Sequence, residues 1–293
     1  MPNPAERLVD LLDLERIETN IFRGRSPDES LQRVFGGQVA GQALVAAGRT
    51  TDGKRPVHSL HAYFLRPGTP GVPIVYQVER VRDGRSFTTR RVVAVQQGRT
   101  IFNLTASFHQ PEPGFEHQVP MPDVPEPESL PRLGDAIRER LGELPEALRR
   151  MEQRQAFDIR YVEPLRWTAE ELAGAEPRSG VWMRAMGPLG DDPLVHTCAL
   201  TYASDMTLLD AVRIPVEPLW GPRGFDMASL DHAMWFHQPF RADEWFLYQQ
   251  ESPIATGGRG LARGQIFHRG GALLVSVMQE GLFRPHRRSA SES

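Results

Sequence analysis

His61-Ala62-Tyr63-Phe64 opens a stretch that runs to Ala106-Ser107-Phe108-His109, and residues 233–281 answer it without a gap at a constant offset of 172. Phe64 falls on Phe236, Pro67 on Pro239, Glu79 on Glu251 and Gly98 on Gly270, with apolar, strand-like runs at matching places. Two copies of one scaffold are expected, and 293 residues are enough for each to bury a core of its own. The copies part where chemistry is expected, because Ser107 in the first is answered by Gln279 in the second. A duplicated scaffold that kept its working groups on one side is the reading of that mismatch.

Outward from the repeat, the first copy reads as one helix followed by a meander. Leu8, Leu11, Leu12 and Leu14 are spaced like one side of a short helix, after which the chain turns extended. Residues 38–47 form a helix of small residues that Gly48 stops, thin enough on all sides to be buried. Strand patterns follow at 57–65, 74–82, 86–96 and 100–109, the last two a hairpin turning at Gln97-Gly98. With no further helix for parallel crossovers, the fold class is α+β, a curved antiparallel sheet wrapping a helix. The second copy has strand-like 157–161 and 181–185, then 197–202 leading into a helix that begins near Ser204-Asp205-Met206. Strands at 229–236, 245–251, 260–268 and 272–283 complete it, with Arg269-Gly270-Gly271 as the turn matching Gln97-Gly98-Arg99.

Between the copies Pro111, Pro113, Pro120, Pro122, Pro125, Pro127 and Pro131 cannot serve a central strand. An extended linker is expected there, with a charged helical piece at 133–152. The division is therefore an N-terminal unit at 1–112, the linker at 113–155 and a C-terminal unit at 156–293.

Hydrophobic content of 40% with 24% charged residues suits a soluble globular protein, and a net charge of −3 argues against nucleic acid as a partner. Lys54 is the only lysine; the arginine bias reads as genomic, although arginine also suits phosphate contacts. Cys198 stands alone, so neither an intrachain disulfide nor a cysteine metal cluster is expected. The start of the chain lacks a basic segment followed by an apolar core, no run of 18 apolar residues occurs, and the chain ends Ser291-Glu292-Ser293. A cytoplasmic protein without a membrane span is the expectation. Neither a Gly-x-Ser-x-Gly elbow nor a Gly-x-x-x-x-Gly-Lys loop is present, which argues against an α/β-hydrolase or a P-loop enzyme.

Three polar residues of the second copy stand out by placement. Asp205 lies at the start of the expected helix, Ser229 at the start of the next strand, and Gln279 inside the apolar arm Leu273-Leu274-Val275-Ser276-Val277-Met278-Gln279. Gathered by a sheet that wraps the helix, a carboxylate, a hydroxyl and an amide would hold and polarise one water, with Asp205 as base. Each also has an ordinary role: Asp205 as a helix N-cap, Ser229 as a strand opener after a loop, Gln279 as a buried amide with structural partners. His61 and His232, on equivalent strands, are further acid or base candidates that equally suit structural hydrogen bonding. His58 with His61, or His232 with His237, lack a third ligand, so no metal is expected. Gly36-Gly37 would offer backbone N–H groups to an oxyanion at a helix N-terminus, or serve tight packing.

The blocks Val34-Phe35-Gly36-Gly37-Gln38-Val39-Ala40-Gly41-Gln42-Ala43 and His58-Ser59-Leu60-His61-Ala62-Tyr63-Phe64-Leu65-Arg66-Pro67-Gly68 resemble the acyl-CoA thioesterase II family. So do Tyr202-Ala203-Ser204-Asp205, Leu230-Asp231-His232-Ala233-Met234-Trp235-Phe236-His237 and Gln279-Glu280-Gly281, in the same order across nearly the whole chain. The resemblance implies a double hotdog, two tandem units packed as a pseudo-dimer, that hydrolyses fatty acyl-CoA to fatty acid and CoA without a metal or bound cofactor. It implies Asp205 and Gln279 as water-activating residues; the family's Thr position is Ser229 here, which keeps the hydroxyl and drops the methyl that restrains its rotamer. Phe64, Trp235 and Phe236 would line an acyl tunnel or fill the core. Arginines are expected on the CoA phosphates, and exposed edge strands on a homo-oligomer. Two other readings stay open: a hotdog enoyl-CoA hydratase using a pair such as Asp231-His232, and a non-catalytic acyl-CoA-binding module.

Overall fold

The computed structural model describes residues 3–27, 32–144, 146, 149, 152, 155–166, 168–220 and 224–286. Its first half carries α1 (Pro4–Leu12), β1 (Glu15–Glu18), β2 (Ile21–Gly24), α2 (Gly36–Gly48), β3 (Val57–Phe64), β4 (Ile74–Asp83), β5 (Phe87–Gln96) and β6 (Arg99–His109). After the linker come α3 (Leu133–Leu141), β7 (Phe157–Tyr161), α4 (Ala169–Leu172), β8 (Arg178–Ala185), α5 (Pro193–Ser204) and α6 (Asp210–Trp220). Strands β9 (Phe225–Ser229), β10 (Asp231–Phe236), β11 (Phe246–Thr256), β12 (Arg259–His268) and β13 (Leu273–Pro285) complete the chain.

All strands join one 13-stranded sheet in the order β1-β2-β4-β5-β6-β3-β10-β13-β12-β11-β8-β7, with β9 beside β13. The order is a palindrome of the two halves, joined where β3 meets β10. His61 pairs there with Ala233, its own counterpart in the repeat, so a pseudo-twofold axis passes between these two residues. The β4–β5 ladder is reproduced by β11–β12 at an offset of 172, irregularity included. The two halves of this antiparallel sheet, each curved over a helix, make the doubled hotdog arrangement.

The repeat is not gapless to its end. Arg90 pairs with Ala106 in the first half, and its counterpart Ala262 pairs with Gln279, an offset of 173 for the last strand. Gln279 thus stands in the place of Ala106, and the place of Ser107 belongs to Glu280, which corrects the expected match of Ser107 with Gln279. Because neighbouring strand residues face opposite ways, the slip decides the face. Ser107 lies on the outer face against His58 Nε2 (2.8 Å), whereas Gln279 is buried on the inner one.

The extra residue sits in the hairpin. Gln97-Gly98 is a two-residue turn with both φ angles positive (50° and 74°), as a type I′ turn requires. Its counterpart loop closes through Gly271 N–H to His268 O (2.8 Å) and His268 N–H to Ala272 O (2.8 Å), leaving three residues, the last being Gly271 at φ 93°. A left-handed residue closing a three-residue hairpin is the next commonest solution. Gln97 is the one described non-glycine residue with positive φ. Gln97→Asn is therefore expected to stabilise the fold by about 0.5–1 kcal/mol in denaturant unfolding, since asparagine tolerates this region better.

Helices fill the concave side. α2 is buried along almost its whole length and packs antiparallel to α5, with Gly37, Gly41 and Gly48 facing Tyr202, Cys198 and Leu194. A Cβ on Gly37 would lie 2.4 Å from Tyr202 O, and one on Gly41 3.1 Å from Cys198 O, so the glycines set how closely the helices approach. α6 lies against β8, β11 and β12. Segment 197–202 is not a lead-in to a helix beginning near Ser204. It belongs to α5, which opens on the Asp192 cap (Oδ1 to Leu194 N–H, 2.9 Å) with Pro193 in its first turn, and ends at Ser204.

The linker is tied down on the outer face. Trp182 Nε1 donates to Pro125 O (2.9 Å), and Met121, Val124 and Leu130 pack on a buried cluster of Trp182, Trp245, Leu247 and Phe267. Of the expected helical piece at 133–152, α3 covers the first part; much of the remainder lies outside the described residues. No helix among the described residues is long and apolar enough to cross a membrane.

Candidate active site

Three strands of argument from the sequence meet at Asp205. It is not the N-cap of a following helix: it caps the C-terminus of α5, and four residues separate it from α6. The break aims its carboxylate across the seam at the N-terminus of α2. That helix has no side-chain cap from its own N-cap residue, Phe35, and the Gly37 N–H bonds to Asp205 instead. The capping chemistry foreseen for Asp205 is present, but on the helix of the other half.

The other two residues converge on the same oxygen. Gln279 Nε2 donates to Asp205 Oδ1 at 2.6 Å, and Ser229 Oγ donates to it at 3.3 Å. Ser229 reaches it because β9 and β10 form one bent strand: β9 pairs with β13 through Ser229 and Gly281, and Leu230 N–H bonds Glu280 O (2.9 Å). Burial pushes the Asp205 carboxyl up to about 6, against the opposing pull of Gln279, Ser229, the Gly37 N–H and the Arg33 charge. A thin edge of Asp205 still reaches solvent, so the group is enclosed without being sealed.

First-half residues finish the wall. A Cβ on Gly36 would lie 2.6 Å from Asp205 Oδ2 and 2.9 Å from Phe64 Cε1, so glycine lets ring and carboxylate meet here. Phe35 meets Tyr202 edge to face at 4.9 Å, and Arg33 Nη2 bonds Met227 O (2.7 Å). Of the aromatic residues expected to line a tunnel, Phe64 is at this site and Phe236 packs on the core. Trp235 stands against His61 at 5.2 Å, and that histidine is exposed on the outer sheet face, away from Asp205.

His232 is wholly buried behind the site, with Nε2 2.8 Å from Ser204 Oγ, and burial lowers its pKa to about 4. Asp231 points the other way and accepts the Glu280 N–H at 2.6 Å. Adjacent strand residues facing opposite sides cannot act as one acid–base pair, so Asp231-His232 does not supply the pair the hydratase reading needs. Sequence reasoning named the Gly37 N–H as an oxyanion donor, not as a partner of Asp205, and missed Arg33, Tyr248 Oη on Ser204 O (3.2 Å), and Gln250 Nε2 on Thr207 Oγ1 (2.5 Å). Gln250 carried the same signal as Gln279, an amide in an apolar strand.

A curled sheet over a helix, doubled, with a carboxylate, a hydroxyl and an amide meeting at the seam, defines a double-hotdog protein with one polar site. A family model described as acyl-CoA thioesterase matches residues 150–282, and one described as acyl-CoA thioesterase N-terminal domain matches 25–109. The chain is 42% identical to acyl-coenzyme A thioesterase 8 of Homo sapiens, over 94% of this chain and 88% of that one. It is 40% identical to acyl-CoA thioesterase 2 of Haemophilus influenzae, over 97% and 99%. Among solved structures, the acyl-CoA thioesterase II TesB2 from Mycobacterium marinum is 45% identical and superposes with a TM-score of 0.78, covering 96% of this chain and 99% of its own. The chain belongs to the acyl-CoA thioesterase family.

Proposed function

We propose that the protein hydrolyses fatty acyl-CoA to fatty acid and CoA, using a water activated by Asp205 and oriented by Ser229 and Gln279. The observation that carries this reading is the convergence of Gln279 and Ser229 on one oxygen of a carboxylate raised to about 6. Such a group is ionised at neutral pH yet a far better base than an ordinary aspartate. Asp205 takes the proton as the water oxygen bonds to the thioester carbonyl carbon; the C–S bond then breaks and CoA leaves as the thiolate, with no acyl-enzyme. We assign the oxyanion to N–H groups at the start of α2, Gly36 foremost, because the Gly37 N–H already serves Asp205. In this scheme the N-terminal unit, 1–112, supplies the helix end and the C-terminal unit, 156–293, supplies the three side chains. Work in the cytoplasm as a homo-oligomer accords with this scheme.

Release of free thiol, followed across acyl-CoA chain lengths, tests the proposal. CoA release is expected from the wild-type protein, at least about tenfold lower kcat from Gln279→Ala and Ser229→Ala, and retained turnover from Ser229→Thr. No thiol from any acyl-CoA, with Ser229→Thr equally silent, would overturn it.

A further inference from the structure

A second line of polar atoms runs inward from Asp205. Gln279 is 1% exposed and commits its Nε2 to Asp205, which turns its Oε1 away, and that oxygen has no hydrogen-bond partner. His232, wholly buried, has Nε2 on Ser204 Oγ, and its Nδ1 is likewise unpaired. The two unpaired atoms belong to neighbours. Ala233 pairs with Met278, so His232 and Gln279 come next across the β10–β13 ladder, both facing inward. The Gln279 amide beside it also favours a proton on the His232 ring.

Ser204 has a single proton, and its placement sets the whole line. If Ser204 donates to Thr201 O (2.9 Å), His232 must carry its proton on Nε2, and two bare acceptors then lie buried beside each other. If Ser204 donates to Nε2, the proton sits on Nδ1 and can be given to Gln279 Oε1, which satisfies both. We propose that His232 is the positioning residue of the site: held by Ser204 as the Nδ1–H tautomer, it donates to Gln279 Oε1 and so fixes which end of the amide faces Asp205. Without it the amide is free to turn, presenting oxygen to a carboxylate. This role rests on the reading of Gln279 as a water-orienting group, and it differs from acid–base work by His232 itself.

Nitrogen NMR of the imidazoles in the full-length protein gives a test independent of turnover. His232 is expected as a neutral ring protonated on Nδ1 at neutral pH, and a ring protonated on Nε2 overturns the proposal. In kinetics, His232→Leu is expected to lower kcat about tenfold with KM within about twofold, and His232→Asn, whose amide mimics the Nδ1 donor, to recover part of the loss. Adding His232→Leu to Gln279→Ala should cost nothing further, because the histidine acts through the amide. An independent additional loss overturns the proposal even if the leucine variant is poorly folded alone. Full activity in Gln279→Ala would instead sink the catalytic reading, leaving the tautomer to be judged by NMR.

Discussion

Asp205→Asn is expected to lower kcat roughly 10²- to 10⁴-fold, the range general-base catalysis supplies, while making the protein harder to unfold at neutral pH. The folded state raises this carboxyl from 3.8 to about 6, so it binds the proton more tightly folded than unfolded. Stability from this group is greatest below about 3.8, declines as pH climbs from there to about 6, and the penalty is complete above. At about 1.4 kcal/mol per pH unit the penalty is on the order of 3 kcal/mol, trimmed because Asp205 as a residue is only partly buried. A gain of about 1–2 kcal/mol in denaturant unfolding near neutral pH, vanishing near pH 4, is the expected signature. Wild-type kcat/KM should fall on the acid side with a midpoint near 6. Undiminished turnover in the asparagine variant would remove Asp205 as the base.

The two glycines at the start of α2 should separate structure from chemistry. In Gly37→Ala the new Cβ would sit 2.4 Å from the Tyr202 backbone oxygen, which cannot swing aside, so α2 and α5 must part. Destabilisation of about 2–3 kcal/mol is expected, with activity lost as the N–H leaves Asp205. In Gly36→Ala the Cβ meets only the ends of the Asp205 and Phe64 side chains. That variant should unfold close to wild type yet hydrolyse poorly, because the carboxylate is displaced. Neither glycine has positive φ, so space is the reason for both. Wild-type stability in Gly37→Ala would contradict the helix contact.

Strand positions were legible because alternation survives in single strands: expected 157–161 is β7, and expected 57–65 differs from β3 by one residue. The slip of β13 was hidden by anchors such as Glu79 and Glu251, which lie before it. It left a trace, since Phe102 and Leu104 face inward at even positions whereas Val275 and Val277 do so at odd ones. An even offset cannot reconcile the two. The boundary at Asp205 was harder, because Met206, Leu208 and Leu209 continue a helical apolar pattern and the break serves a partner more than 160 residues away. The start of α5 could have been read from Asp192-Pro193. Convergence of Asp205, Ser229 and Gln279 was a supposition from the sequence, since the contact needs a bent strand and a shifted turn.

The helix that meets Asp205 belongs to the other half of the chain, and under the proposed mechanism this makes catalytic competence a product of assembly. In a C-terminal half folded alone, Asp205 would face water, keep an ordinary aspartate pKa and be a weak base. Only docking of α2 strips that water and raises its proton affinity. On that mechanism a nascent or partly unfolded chain is expected to carry every reactive group and to stay inert towards thioesters until its two halves close on each other.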